Sequence, residues 1–378
     1  MNSLKYFTFE SGKLGNLIQV LENYGYIVIG PIVRDSAIVY EKIKTVSELP
    51  VGWTDEQSRG QYRLKRRADD AIFGWTVGPQ SLKKLLFPPV HSILDISKDG
   101  KGFRFARDRS DDSRVKYAFL GVRPCDLQAI TILDKVFLGG PFVDNVYGTK
   151  RKDSFIIAVN CGQAGGNCFC SSMGTGPKAK NGFDIALTEI LDDNNHYFAA
   201  EAGTEAGRKV LKSIDSSTAS EQDIKKAELV IENARNQIAR SLDVSNLKDL
   251  LYKNFESSRW ETIAERCLSC ANCTMVCPTC FCNTIVDTTN IVGNKAERIR
   301  RWDSCFTLDF SYIHGGSVRT SVKSRYRQWL MHKFAYWLDQ FGTYGCVGCG
   351  RCITWCPVGI DIMEEVKALT SQKVNVND

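Results

Sequence analysis

The sequence predicts an α+β protein in three parts: a mixed α/β N-terminal region, a helical connector, and a C-terminal α-helical domain split by a long insertion. Three observations carry this expectation. Short β-branched runs broken by Gly and Pro occupy the first half, as strands and their turns require. Residues 205–262 lack Pro and Gly beyond Gly207 and space their apolar side chains as a helix does, as in Leu247-x2-Leu250-Leu251-x3-Phe255. Two cysteine runs of one spacing follow, Cys267-x2-Cys270-x2-Cys273-x3-Cys277-Pro278 and Cys346-x2-Cys349-x2-Cys352-x3-Cys356-Pro357. The expected divisions are 1–110, an N-terminal mixed α/β region; 111–204, an α/β domain with a cysteine-rich edge; 205–262, the connector; and 263–378, a two-cluster ferredoxin-like domain with an insertion at 283–340.

Within the first division, Tyr26-Ile27-Val28-Ile29-Gly30-Pro31 and Ala37-Ile38-Val39-Tyr40 read as strands, and Leu49-Pro50-x-Gly52 and Phe87-Pro88-Pro89 as boundaries. In the second, Lys116 to Val122 reads as a buried strand ending at Arg123-Pro124-Cys125. Asp126 then stands where a helix N-cap belongs, ahead of Leu127-x2-Ile130-x2-Leu133-x2-Val136-Phe137. Phe155 to Val159 is a second strand, ending at Asn160-Cys161. If the two strands are parallel neighbours, Cys125 and Cys161 meet at one sheet edge. The Gly-rich loop after them adds Cys168 and Cys170. These four thiols read either as a third cluster site or as buried cysteines that pack.

The two repeated runs read as ligands for two [4Fe-4S] clusters, because three cysteines on a short loop cap three iron corners while the Cys-Pro serves the other cluster. Crossed sets follow: Cys267, Cys270, Cys273 and Cys356 on one cluster, Cys346, Cys349, Cys352 and Cys277 on the second. Structural zinc has no use for a third C-x-x-C step. Disulfides need an oxidising compartment, and no apolar signal core follows Met1-Asn2-Ser3-Leu4-Lys5-Tyr6, so the thiols are expected to stay reduced in the cytoplasm. Eight of the 15 cysteines are used in this way. Of the rest, Cys280, Cys282 and Cys305 in the insertion read as an incomplete ligand set, as reactive thiols able to carry sulfur, or as packed side chains.

The net charge of +6 is concentrated at Arg59 to Arg67, Arg298 to Arg301, and Arg319 to Arg327 with Lys333. Such runs are usually solvated faces; Arg325, Arg327 and Lys333 are also candidate docking charges for acidic redox partners. No helix-turn-helix, RNA-recognition or zinc-finger signature accompanies the charge, which argues against nucleic acid. No apolar run approaches the ~18 residues that span a bilayer, so direct membrane insertion is not expected.

Beyond the cysteine spacing, several segments are recognisable: Cys267 to Cys282, Trp302-Asp303-Ser304-Cys305, Ser324-Arg325-Tyr326-Arg327, His332-Lys333-Phe334 and Cys346-Val347-Gly348-Cys349-Gly350-Arg351-Cys352. Upstream stand Gly60-x-Tyr62-Arg63, Gly78-Pro79-x-Ser81, Gly121-Val122-Arg123-Pro124-Cys125-Asp126 and Cys168-Phe169-Cys170-x2-Met173-Gly174-x-Gly176-Pro177. Together they resemble the iron-sulfur beta subunit of cytosolic sulfhydrogenases, related to the A subunit of anaerobic sulfite reductase. One departure is Asp144-Asn145-Val146-Tyr147, where the family often has Asp-Pro-x-Tyr. The resemblance implies an electron relay between a flavin subunit using NAD(P)H and a catalytic subunit, either a nickel-iron hydrogenase or a sirohaem sulfite reductase. The sequence itself has no Gly-rich dinucleotide fingerprint and no paired Cys-x-x-Cys ends of a nickel-iron subunit, so catalysis is expected on partners. The alternative is a sulfur-compound reductase acting at Cys280, Cys282 and Cys305.

Overall fold

A computed structural model describes residues 5–100, 102–107, 115–192 and 195–371. Its strands are β1 (Tyr6–Glu10), β2 (Tyr26–Arg34), β3 (Ala37–Lys42), β4 (Trp53–Ser58), β5 (Gln61–Arg66), β6 (Val90–Asp99), β7 (Gly102–Arg107), β8 (Lys116–Val122), β9 (Phe155–Val159), β10 (Ile185–Asp192), β11 (Asn195–Ala202), β12 (Ser217–Thr218), β13 (Asn283–Thr289), β14 (Lys295–Trp302), β15 (Tyr312–Ile313) and β16 (Gly316–Ser317). Eight of them form one sheet in the order β12-β1-β11-β10-β9-β8-β2-β3. Its centre, β2, β8, β9 and β10, is parallel, and both flanks are antiparallel. The central strands are apolar throughout, as burial on both faces requires; Phe155, Ile156, Ile157, Ala158 and Val159 are all buried.

This sheet corrects the expected domain division. Residues 110 and 111 lie outside the described residues, but β2 from one side of that boundary pairs with β8 from the other, so both halves share one sheet and one core. The connector is helical over Glu205–Ser213, Glu221–Asn236, Leu247–Lys253 and Arg259–Arg266, and it also lends β12 to the sheet edge. The insertion returns to the N-terminal half. Its hairpin β13–β14 pairs through β14 with β6, completing a second sheet ordered β13-β14-β6-β7. Later in the insertion, a helix runs over Val322–Met331 and continues into a π-turn at His332–Tyr336.

Helix starts also differ from expectation. The helix Pro124–Phe137 begins with Arg123 at the N-cap position and Pro124 in its first turn, where proline's missing N–H costs nothing. Asp126 is therefore not the cap; it is buried and paired elsewhere. Asp144 does cap the helix Asn145–Lys152, accepting from Tyr147 N at 2.9 Å, and Asn145 takes the first helical position. Among the described residues, no helix is long and apolar enough to cross a membrane.

Candidate iron-sulfur sites

The two cysteine runs adopt the same backbone device. In each, the residues flanking the middle cysteine take left-handed conformations: Ser269 and Ala271 at φ 51° and 65°, Gly348 and Gly350 at φ 65° and 77°. The first cysteine of each run accepts a backbone N–H two residues on, Ser269 N to Cys267 Sγ at 3.5 Å and Gly348 N to Cys346 Sγ at 3.4 Å. Such turns point successive thiols inward. Glycine is needed only in the second run, because a Cβ on Gly348 would lie 2.7 Å from Phe169 O, and one on Gly350 2.5 Å from Asn167 O.

The runs exchange their last cysteines. Cys267, Cys270, Cys273 and Cys356, with Cys352 at one side, line an apolar pocket walled by Phe306, Tyr326, Trp329 and Ile360. The nearest thiol charges felt by Cys273 are those of Cys267, Cys356 and Cys270. Cys352 in turn is flanked by Cys346, Cys349 and Cys277. Burial pushes Cys273 and Cys352 well above the ordinary thiol range, and Cys346 up to about 12. Apolar walls around several convergent sulfurs fit a thiolate-ligated cluster, whose positive iron would supply the charge that burial withholds. Among the described residues, no three His, Cys, Asp or Glu side chains close tightly enough to hold a single metal ion. Of the 15 cysteines, Cys270 alone is exposed.

The N-terminal half is built around the second run. Arg351, between Cys349 and Cys352, is 1% exposed and pairs with Asp126 at 2.7 Å. It also donates to Gly78 O at 2.8 Å and Gln80 O at 3.1 Å. The hairpin β4–β5 adds Gly60 N to Ile353 O at 3.0 Å and Tyr62 stacked on Trp355 at 5.2 Å. Neither Arg351 nor Asp126 was among the expected site residues; an arginine enclosed by two cysteine steps was the available signal.

Of the three expected docking charges, Lys333 and Arg325 are buried and Arg327 is half-buried and paired with Glu256. Lys333 is buried, 4% exposed, with Nζ 3.1 Å from Cys277 Sγ and 3.4 Å from Cys280 Sγ. Burial alone would lower its pKa, but the Cys277 and Cys280 thiolates outweigh that and hold it well above the ordinary lysine value. Arg325 is buried and spends its guanidinium on Thr320 O at 3.0 Å and Arg319 O at 3.3 Å. Arg327 lies over Phe255 and donates to Phe255 O at 2.9 Å. The helix face carrying them turns inward because the insertion folds back on the connector.

Cys280, Cys282 and Cys305 gather around Lys333. The Cys282 thiol, beside that of Cys305, is drawn down to about 7. A second buried lysine, Lys83, donates to Cys280 O at 3.1 Å and lies 4.1 Å from the Trp302 ring centroid; burial lowers its pKa. The upstream group is also assembled. β8 and β9 are parallel neighbours, and Cys125, Cys161, Cys168 and Cys170 line one cavity with Cys349.

Against known proteins, residues 266–360 match the family described as a 4Fe-4S dicluster domain. The chain is 31% identical over 346 residues to sulfhydrogenase 2 subunit beta of Pyrococcus furiosus, covering 90% of this chain and 92% of that protein. No solved structure matches.

Proposed function

The chain belongs to the family of sulfhydrogenase beta subunits, and from that premise we propose that it relays electrons within a multi-subunit oxidoreductase. In this reading Cys267, Cys270, Cys273 and Cys356 hold one [4Fe-4S] cluster and Cys346, Cys349, Cys352 and Cys277 the other. Each cluster supplies one-electron redox chemistry when bound. The exchange of Cys277 and Cys356 between the two groups of thiols is the observation that carries the proposal. It joins the sites through one rigid segment, and it leaves Cys270 at the surface as the edge nearest a partner. The protein's own groups exclude water from the inner site and set its charge: Lys333 against Cys277, Arg351 beside Cys349.

The partners in this proposal are a flavin subunit linked to NAD(P)H on one side and a nickel-iron hydrogenase or sirohaem sulfite reductase subunit on the other. Anaerobic purification of the chain alone is the test. The expected product is brown, carries about eight or more irons per chain, and turns over neither hydrogen nor sulfite; steady turnover by the isolated chain would contradict the relay. One observation favours a second reading, reduction of a sulfur compound at Cys280, Cys282 and Cys305: the Cys280 thiol lies 3.4 Å from the buried Lys333 ammonium, with Cys305 beside Cys282. In that case Cys305→Ser would abolish sulfur reduction while both cluster spectra persist.

A further inference from the structure

We infer that Cys125, Cys161, Cys168 and Cys170 bind a third iron-sulfur cluster, of the [4Fe-4S] type, beside the site that includes Cys349. The topology assembles the ligands. Cys125 follows the carboxyl end of β8 and Cys161 that of β9, the edge at which open parallel sheets place their ligands. Cys168 and Cys170 arrive on a loop fixed at both ends, with Phe169 N bonded to Gly348 O at 2.9 Å and Thr175 N to Cys170 O at 3.0 Å. Cys161 N is held by Pro177 O at 3.1 Å.

Three further features distinguish a ligand site from four cysteines packed as small hydrophobes. The thiols converge on one shared apolar pocket, with Thr76, Pro177 and Ile238 in its wall. Side chains are also kept away from two of the sulfurs. A Cβ on Gly176 would lie 2.9 Å from Cys170 Sγ, and one on Gly165 3.2 Å from Cys168 Sγ. Lastly, the wall contains a buried cation. Arg123, 1% exposed, lies over the Trp75 ring and donates to Phe73 O, Trp75 O and Asn160 O, while its Nε has no acceptor among protein atoms. It lies beside Cys161 and lines the same cavity, where a cluster sulfur would accept from it. A cubane with four thiolates is anionic, so a buried guanidinium at its edge offsets charge that the apolar wall cannot.

The third site extends the series of redox centres from the ferredoxin-like domain to the edge of the large sheet. It goes beyond the two-site relay, and its failure is separable from the relay's. The experiment is iron and acid-labile sulfide analysis, with Mössbauer spectroscopy, of the anaerobically prepared full chain and its C168S/C170S variant. About twelve irons are expected for the unaltered chain, and a loss of one third in the variant, with the remaining cluster spectra unchanged. About eight irons in the unaltered chain overturns the third site and leaves the relay standing, as does zinc in place of four of the irons. A variant that keeps the full count also overturns it. If the variant does not fold, the unaltered chain's count decides.

Discussion

An ammonium 3.1 Å from Cys277 Sγ and 3.4 Å from Cys280 Sγ stabilises whichever state of the neighbouring site carries more negative charge. Reduction adds that charge, so Lys333 should raise the potential of the cluster proposed at Cys277. Lys333→Met removes a charge-assisted hydrogen bond of about 1.5–3 kcal/mol. The expected result is a midpoint lowered by on the order of 50–100 mV, measured by redox titration under electron paramagnetic resonance, with the Cys267-Cys270-Cys273 site little changed. An unchanged midpoint would show the lysine to be structural only. Such a role is invisible in sequence. Lys333 reads as part of a basic run on a solvated face, and only the fold-back of the insertion buries it. The cysteine spacing was legible because ligand geometry is local, whereas the charges that tune it come from distant segments.

Strands were the most legible elements, since β8 and β9 are continuous apolar runs whose limits, Lys116 to Val122 and Phe155 to Val159, are marked by turn residues. The hairpin β13–β14 was hidden in the insertion. Its exposed strands alternate weakly and find their sheet only by pairing with β6, almost two hundred residues earlier. At the other end of the molecule, β10 and β11 are tied to the loop at Ile72 through Glu189, which accepts from Ile72 N at 2.6 Å, Phe73 N at 2.8 Å and His196 Nε2 at 2.7 Å. The Glu189 hydrogen bond raises the His196 pKa above its ordinary 6.5, in spite of partial burial. The protonated ring thus favours the folded state: its contribution is complete below pH 6.5 and is lost as pH rises through the raised value. The thermal midpoint should decline across that interval, and His196→Gln should flatten the decline. An equally steep profile in the variant would assign the effect to another group.

On the scale of the whole chain, the cluster domain and the large sheet are locked together by Arg351 and Asp126, each about 1% exposed on its side chain. Breaking a buried pair leaves an uncompensated charge and costs about 3–5 kcal/mol. Arg351→Met should therefore lower the unfolding midpoint sharply, and the double change with Asp126→Asn should recover part of the loss; equal losses in the single and double variants would contradict a direct pair. Sequence division at residue 110 missed this unity because strand order within a sheet is not written locally: β2 and β8 are adjacent in space and about eighty residues apart in sequence. The exchange of Cys277 and Cys356 is the same kind of long-range closure, and the account of this protein as a relay rests on it. Low-temperature electron paramagnetic resonance of four reduced variants tests it most directly: Cys270→Ser, Cys356→Ser, Cys349→Ser and Cys277→Ser. Crossed ligation predicts that Cys356→Ser perturbs the signal perturbed by Cys270→Ser, and Cys277→Ser that perturbed by Cys349→Ser. If Cys277→Ser instead matches Cys270→Ser, each run serves its own cluster and the account is contradicted.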